Sequence, residues 1–340
     1  MEVELNIHEP TNSVDEDGWS DEDDEEHEGD TTAEQARQGR DIQGIPWEHI
    51  QPTTTRETYR EQRLKDYKNY LNLPPSYDQL EEQSPVDKTE PFFSFQLNTR
   101  KVRCTIVHFQ LRHLVWATSK HDVYVTHQNV VNHWNPITQR ATEVANLAGT
   151  RHGTFGRVQI STMAVAGNLL VIGGFNGEIV VKNLNQEGYA HCSRITADEN
   201  AITNAVEIFE APCGGTRVLA ANNDSIVRCF DVPTFTCLSR FEHEWAVNYA
   251  AVSPDHKLVA VVGDSPDGLL TDSTTGKVVA TLKGHLDFSF AAAWHPDGVT
   301  FATGNQDTTA RLWDVRHLKT SVAGIPLISQ VTGGAGLSLE

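Results

Sequence analysis

The chain has 340 residues, enough for one large domain with a tail, and carries a net charge of −19. That charge argues against nucleic-acid binding through a broad basic face, and no apolar run reaches membrane-spanning length. The five cysteines, Cys104, Cys192, Cys213, Cys229 and Cys237, are odd in number and lack metal-ligand spacing. With no signal peptide, they read as thiols of a reducing compartment, so the expected location is intracellular, cytoplasm or nucleus, and not secreted.

The charge is concentrated at the front. Residues 1–40 hold fifteen acidic residues against Arg37 and Arg40, a net −13, which leaves −6 for the other 300 residues. A run such as Asp21 to Glu26 cannot bury enough apolar surface to fold, so 1–40 is expected to be a disordered acidic tail. Ser13 and Ser20 each have an acid three residues on, Glu16 and Asp23, as acid-directed kinases prefer, and are candidate phosphosites.

Residues 41–91 read as a linker. Gly44-Ile45-Pro46-Trp47-Glu48-His49-Ile50 is an apolar clip in polar surroundings. Thr54-Thr55-Arg56-Glu57 fits a capping box with Thr54 as cap, which predicts a helix over 55–71. Its stripe of Tyr59, Arg63, Tyr67, Tyr70 and Leu71 would dock on the following domain. Pro74-Pro75 must end the helix. Pro74, Pro75 and Tyr77 also match the Pro-Pro-x-Tyr ligand of WW domains, whose preset extended backbone an aromatic groove can grip. A WW-domain protein is therefore a candidate partner.

Residues 92–325 repeat. Trp134-Asn135, Asn176-Gly177 with Asn183, and Asn223-Asp224 with Asp231 mark successive copies, and the copy ends fall at Asn135, Asn183, Asp231, Asp272 and Asp314. The steps between them are 48, 48, 41 and 42 residues. His243 to Asp255 aligns without a gap on His285 to Asp297. Short β-branched runs such as Leu169-Leu170-Val171-Ile172 and Leu258-Val259-Ala260-Val261-Val262 sit between Gly, Asn, Asp and Pro. Fixed-period similarity of this kind means stacked units, and the composition makes them β-sheets.

The last copy is the most complete. Gly284-His285 is followed after twenty-seven residues by Trp313-Asp314, with His295-Pro296-Asp297-Gly298 between them. This is the pattern of a WD repeat. The resemblance implies an outer strand at 278–282, then strands at 288–294, 299–303 and 309–313 in one blade. It also implies a hydrogen-bonded network of His285, Thr303, Asp307 and Trp313, with Asp307 facing His285 and Trp313 donating to Thr303. The same residue types could form a catalytic relay, but such networks recur as structure in this fold. The third copy has Ala220 at the Thr position and Ile202 near the His position, so no network is expected there. Gly173-Gly174-Phe175-Asn176-Gly177 leads from strand to strand, so it is a hairpin turn and not a phosphate loop. Thr275-Gly276-Lys277-Val278 lacks the other residues of a Walker loop. No cofactor or catalytic motif is found.

The stretches Arg40 to Trp47, Leu114 to Asp122 and Gly284 to Phe290 are similar to a WD-repeat (transducin-like) family of plants and fungi. That resemblance implies an all-β propeller and no particular activity. It also implies about two more repeats after Arg316, so the ring is expected to be incomplete, with 326–340 an irregular tail from truncation or alternative splicing. The flank carrying Phe288, Phe290 and Trp294 should then be partly bare and favour self-association. Separately, Trp313-Asp314-Val315-Arg316 resembles the box of cullin-four ubiquitin-ligase substrate receptors, in which Arg316, with Trp313 and Asp314, would contact the ligase's adaptor. The expected whole is a WD propeller of about five recognisable blades, preceded by the acidic tail and a short helical segment. The expected role is a non-catalytic protein-interaction scaffold, with the ligase receptor as the alternative.

Overall fold

In the computed structural model the described residues are 30–42, 55–59, 61, 94–99, 101–102, 104–105, 113–149, 156–212, 214–307 and 309–326. They fall into two compact units, one containing the described residues up to 42 together with 95–101, the other containing the remainder.

The first unit corrects the expected tail boundary at residue 40. Strand β1 (Thr31–Thr32) leads directly into helix α1 (Ala33–Arg37), and β1 pairs antiparallel with β2 (Leu97–Asn98). The helix forms because Thr32 caps it. Gln35 N–H donates to Thr32 Oγ1 at 3.2 Å, and Thr32 N–H donates to Gln35 Oε1 at 3.0 Å. Glu34 in the first turn and Arg37 in the last suit the helix dipole. Residues 97–98 thus belong to this unit.

The predicted helix over 55–71 is described only at 56–59 and 61, which are helical. Its cap is Thr55, one residue later than expected: Thr58 N–H donates to Thr55 Oγ1 and Thr55 N–H to Thr58 Oγ1. The apolar clip, the rest of the helical stripe, Ser13, Ser20, Pro74, Pro75, Tyr77, Cys213 and the tail after Pro326 lie outside the described residues.

The second unit is built from five four-stranded antiparallel meanders. The first sheet is β3 (Val115–Ser119), β4 (Asp122–His127), β5 (Val130–Asn135) and β6 (Arg140–Asn146). The second is β7 (Ile160–Ala166), β8 (Leu169–Gly174), β9 (Glu178–Asn183) and β10 (His191–Arg194). The third is β11 (Thr203–Glu210), β12 (Thr216–Asn222), β13 (Ile226–Asp231) and β14 (Thr236–Glu242). The fourth is β15 (Val247–Val252), β16 (Leu258–Gly263), β17 (Gly268–Asp272) and β18 (Val278–Leu282). The fifth is β19 (Ser289–Trp294), β20 (Thr300–Asn305), β21 (Thr309–Asp314) and β22 (Ala323–Pro326). Neighbouring sheets meet face to face through their first strands: β3 on β7, β7 on β11, β11 on β15, and β15 on β19. No comparable packing joins β19 to β3 among the described residues.

The repeat and the sheet are out of step. Val278 to Leu282 was expected as the outer strand of the last blade, but β18 pairs with β17 and completes the fourth sheet. The last blade takes its outer strand from β22, which pairs with β21. Each repeat therefore spans two blades, and its covalent continuity ties neighbours together.

The spacing of copy ends has a local cause. Asn135, Asn183, Asp231, Asp272 and Asp314 each close the third strand of a sheet. In each, the side-chain oxygen accepts a backbone N–H two or three residues on: Ile137, Asn185, Thr234, Thr274 and Arg316 respectively. These Asx turns steer the chain into the fourth strand, and Asn and Asp make them best.

The first strands carry a second device. In sheets two to five a β-bulge falls at Ser161, Asn204, Asn248 and Phe290. The bulge turns the side chain toward the next sheet. Ser161 Oγ donates to Thr203 O at 2.6 Å, Asn204 Nδ2 to Val247 O at 2.9 Å, and Asn248 Nδ2 to Ser289 O at 3.1 Å. The series ends at Phe290, which has no donor. Between sheets one and two the fastening is elsewhere: Asn129 donates to Val158 O, and the Tyr189 hydroxyl bonds Asn146 N–H and O.

Of the flank expected to be partly bare, Phe288 is half-buried. Phe290 is 7% exposed, and Trp294 is half-buried with its indole Nε1–H donating to Ala251 O of the preceding sheet at 3.0 Å.

Candidate functional site

The sharpest polar constellation lies in the fifth blade, where the loop 283–288 meets the β20–β21 turn. His285 Nδ1 is 2.9 Å from Asp307 Oδ2, and His285 Nε2 is 2.8 Å from Thr303 Oγ1. Trp313 Nε1–H donates to Thr303 Oγ1 at 2.9 Å. With the imidazole proton on Nδ1, every donor has an acceptor: the indole gives to the hydroxyl, the hydroxyl to Nε2, and Nδ1–H to the carboxylate. Asp307 Oδ2 also accepts Leu286 N–H, and Oδ1 accepts both Thr309 N–H and its hydroxyl, at 2.8 and 2.7 Å. All four carboxylate lone-pair sites are filled. Burial pushes this carboxyl's pKa up, but the His285 and Thr309 bonds outweigh it, and the net shift is down.

The geometry limits what this set can do. The His285 and Asp307 side chains are 3% and 2% exposed, and Trp313 is fully buried. No substrate atom can reach the imidazole, so the arrangement cannot act as a relay without unfolding the blade. Its effect is to tie the 283–288 loop to the last two strands.

The other blades meet the same need differently, and sequence reasoning missed these solutions. In the third, Asp224 takes the place of Asp307, and Arg228 grips it bidentately, at 3.0 and 2.5 Å, with Asn222 as a further acceptor. Burial works against this carboxylate, yet the Arg228 bonds and charge pull its pKa down. An Asp–Arg pair four residues apart across a strand turn was the available signal. In the second, buried Glu178 accepts Asn176 N–H at 2.8 Å and pairs with Arg194 at 3.6 Å. In the fourth, His243 corresponds to His285, but its Nε2 is buried with no partner among the described residues.

The adaptor-contact candidates separate. Trp313 is sealed in the core and Asp314 is 8% exposed, so neither presents a surface to a partner. Arg316 is 67% exposed and folds back onto Asp314, with Nη2 2.6 Å from Oδ2 and Nε 2.9 Å from Oδ1. That contact holds the Asp314 carboxyl down to about 2. Only Arg316 reaches solvent.

Near the innermost strands lies a second titratable site that the sequence did not disclose. Glu207 on β11 accepts Val252 N–H at 3.0 Å. Glu207 is half-buried, and the protein packed around it desolvates its carboxyl and lifts it to about 8. Tyr249, close by, is raised by burial and then by that carboxyl. The ring of His113, two residues before β3, lies 5.1 Å from Tyr249 of the fourth sheet and 5.6 Å from Trp116 of the first. Among the described residues the cysteines 104, 192, 229 and 237 are free thiols, and no helix is long and apolar enough to cross a membrane.

Comparison with known proteins agrees with this architecture. Residues 276–314 match the family model "WD domain, G-beta repeat". Eukaryotic translation initiation factor 3 subunit I of Culex quinquefasciatus is 29% identical over 127 residues, covering 33% of this chain and 39% of that protein. The Anopheles gambiae protein of the same name is 31% identical over 127 residues, with the same coverage. The Drosophila willistoni protein is 26% identical over 157 residues, covering 42% of this chain and 47% of that one. The chain thus spans less than half the length of these relatives. Among solved structures, a chain in "Crystal Structure of Mitotic Checkpoint Complex" superposes with a TM-score of 0.56 at 17% identity, covering 73% of this chain and 76% of that one. With five consecutive four-stranded meanders and a matched G-beta repeat, the fold is an all-β WD-repeat propeller.

Proposed function

We propose that this protein is a non-catalytic scaffold that binds other proteins through the loops at the ends of its blades. One observation carries the reading: the His285–Thr303–Asp307–Trp313 set is sealed and fully hydrogen-bonded, so it stiffens a blade and touches no substrate. A stiffened blade holds its connecting loops in fixed positions, which suits recognition. The matched relatives are named as a subunit of an initiation factor, which supports work within an assembly inside the cell.

The test is capture from cells with the full chain as bait. Charge reversals at one end of the blades (E199K with E244K) are compared with reversals at the other (K257E with K277E). Wild type should retain proteins in stoichiometric amount, and one pair of changes should release them while the fold persists. Failure of wild type to retain any protein would overturn the proposal. The ligase-receptor reading rests on Arg316 alone, since Trp313 is buried. It would require that R316A lose a propeller adaptor that wild type retains.

A further inference from the structure

A cavity of about 360 Å³ lies between the third and fourth sheets. Its cause can be read from the repeat. The offset of forty-two residues that aligns His243 on His285 also aligns Val252 on Trp294, Val259 on Phe301, Val261 on Thr303 and Thr271 on Trp313. In the fifth sheet the three rings fill the space against the fourth: Trp294 and Phe301 lie 4.6 Å apart, and Phe301 and Trp313 6.4 Å apart. In the fourth sheet all three rings are replaced by small side chains. Val252, Val259, Val261, Thr271 and His243 all line the cavity. The void is the space that two indoles and a phenyl occupy one blade later.

Its polar groups point the same way. His285 Nε2 bonds the Thr303 hydroxyl, but Val261 offers His243 no such group, and His243 Nε2 is left buried and unpartnered. His256 Nδ1, also in the lining, is likewise buried without a partner. Buried polar atoms are nearly always satisfied, so two orphans on one cavity mark a place where a hydrogen-bonding guest belongs. The volume is within the range of small-molecule sites, and facing sheets about 10 Å apart leave room for a ring between them once side chains are small.

We propose that this cavity is a binding site for a planar aromatic small molecule of one or two fused rings, carrying a ring N–H or hydroxyl that hydrogen-bonds His243 Nε2. The inference is independent of the scaffold reading. The guest restores what the fifth blade builds from its own chain: ring surface against the valines and a partner for the imidazole. Cys229, 8% exposed, lies in the opposite wall and reports on occupancy.

Indole is the probe, titrated calorimetrically into the full chain. We expect one saturable site. The affinity should fall at least tenfold for V259F and for T271W, which return rings to the slot, and at least tenfold for 1-methylindole, which lacks the N–H. Octanol, an aliphatic probe, should bind at least tenfold more weakly than indole. Should T271W fail to fold, V259F and the wild-type thiol suffice: saturating indole should slow alkylation of Cys229 at least fivefold. No saturable binding, undiminished affinity in the folded ring-filling variants, equal affinity for octanol or 1-methylindole, or an unchanged Cys229 rate would overturn the proposal.

Discussion

Replacing Asp307 with alanine removes the acceptor for four donors at once: His285 Nδ1–H, Leu286 N–H, Thr309 N–H and the Thr309 hydroxyl. A buried donor left unpaired costs about 1–3 kcal/mol. Leu286 is only half-buried and can take water, and the Thr309 hydroxyl can rotate, so two of the four losses are softened. The His285 and Thr309 N–H losses remain, which gives a loss of about 2–6 kcal/mol. Asn176→Ala in the second blade loses only a 3.2 Å bond to Glu178 and should cost under about 1 kcal/mol. Urea unfolding at fixed slope measures both. The pH dependence gives a second readout. The folded Asp307 carboxyl is depressed below its ordinary 3.8, so its contribution is fully present above that value and is lost as pH falls through the folded value. The gap between wild type and D307A should therefore be constant from neutral pH to about 5 and close only in stronger acid. Equal midpoint shifts for D307A and N176A would refute the reasoning.

Glu207 gives the opposite sign. Its folded carboxyl is raised from 4.5 to about 8, so the native state holds a proton the unfolded chain has released, and stability falls as pH rises between those values. E207Q keeps an acceptor for Val252 N–H and should outlast wild type in thermal unfolding by a margin growing up to about 1.4 kcal/mol per pH unit across that window. Asn248→Ala cuts the latch from the fourth sheet to Ser289 O and should cost about 1 kcal/mol. Amide exchange should quicken in β15 and β19 while β7 and β8 are unchanged. R316A removes a pair in which the arginine is exposed and Asp314 is not, and should cost no more than about 1 kcal/mol in urea unfolding.

The succession of sheets was legible because each Asn or Asp at a copy end does a local task that no packing overrides. The last blade was most legible because His285, Thr303, Asp307 and Trp313 must all be present for any one to be satisfied. What escaped the sequence had identifiable causes. Thr32-Ala33-Glu34-Gln35 is a capping box, but the acidic composition around it outweighed four residues of local signal. Strand pairing is non-local, so nothing in 278–282 announces that it completes the preceding sheet. Arg228 stood in a strand, where a surface position was the default, yet it is 3% exposed against Asp224. The cavity could be foreseen only by aligning Val252, Val259 and Thr271 on three rings one repeat later.

A sealed blade network that supports a protein-binding surface should leave this chain inside an assembly. Native mass spectrometry of the full chain, gently purified from cells, tests it most directly. The account predicts a heteromeric assembly of fixed stoichiometry, retained by wild type. A chain recovered alone, at the mass of a single copy under conditions that preserve other assemblies, would contradict it.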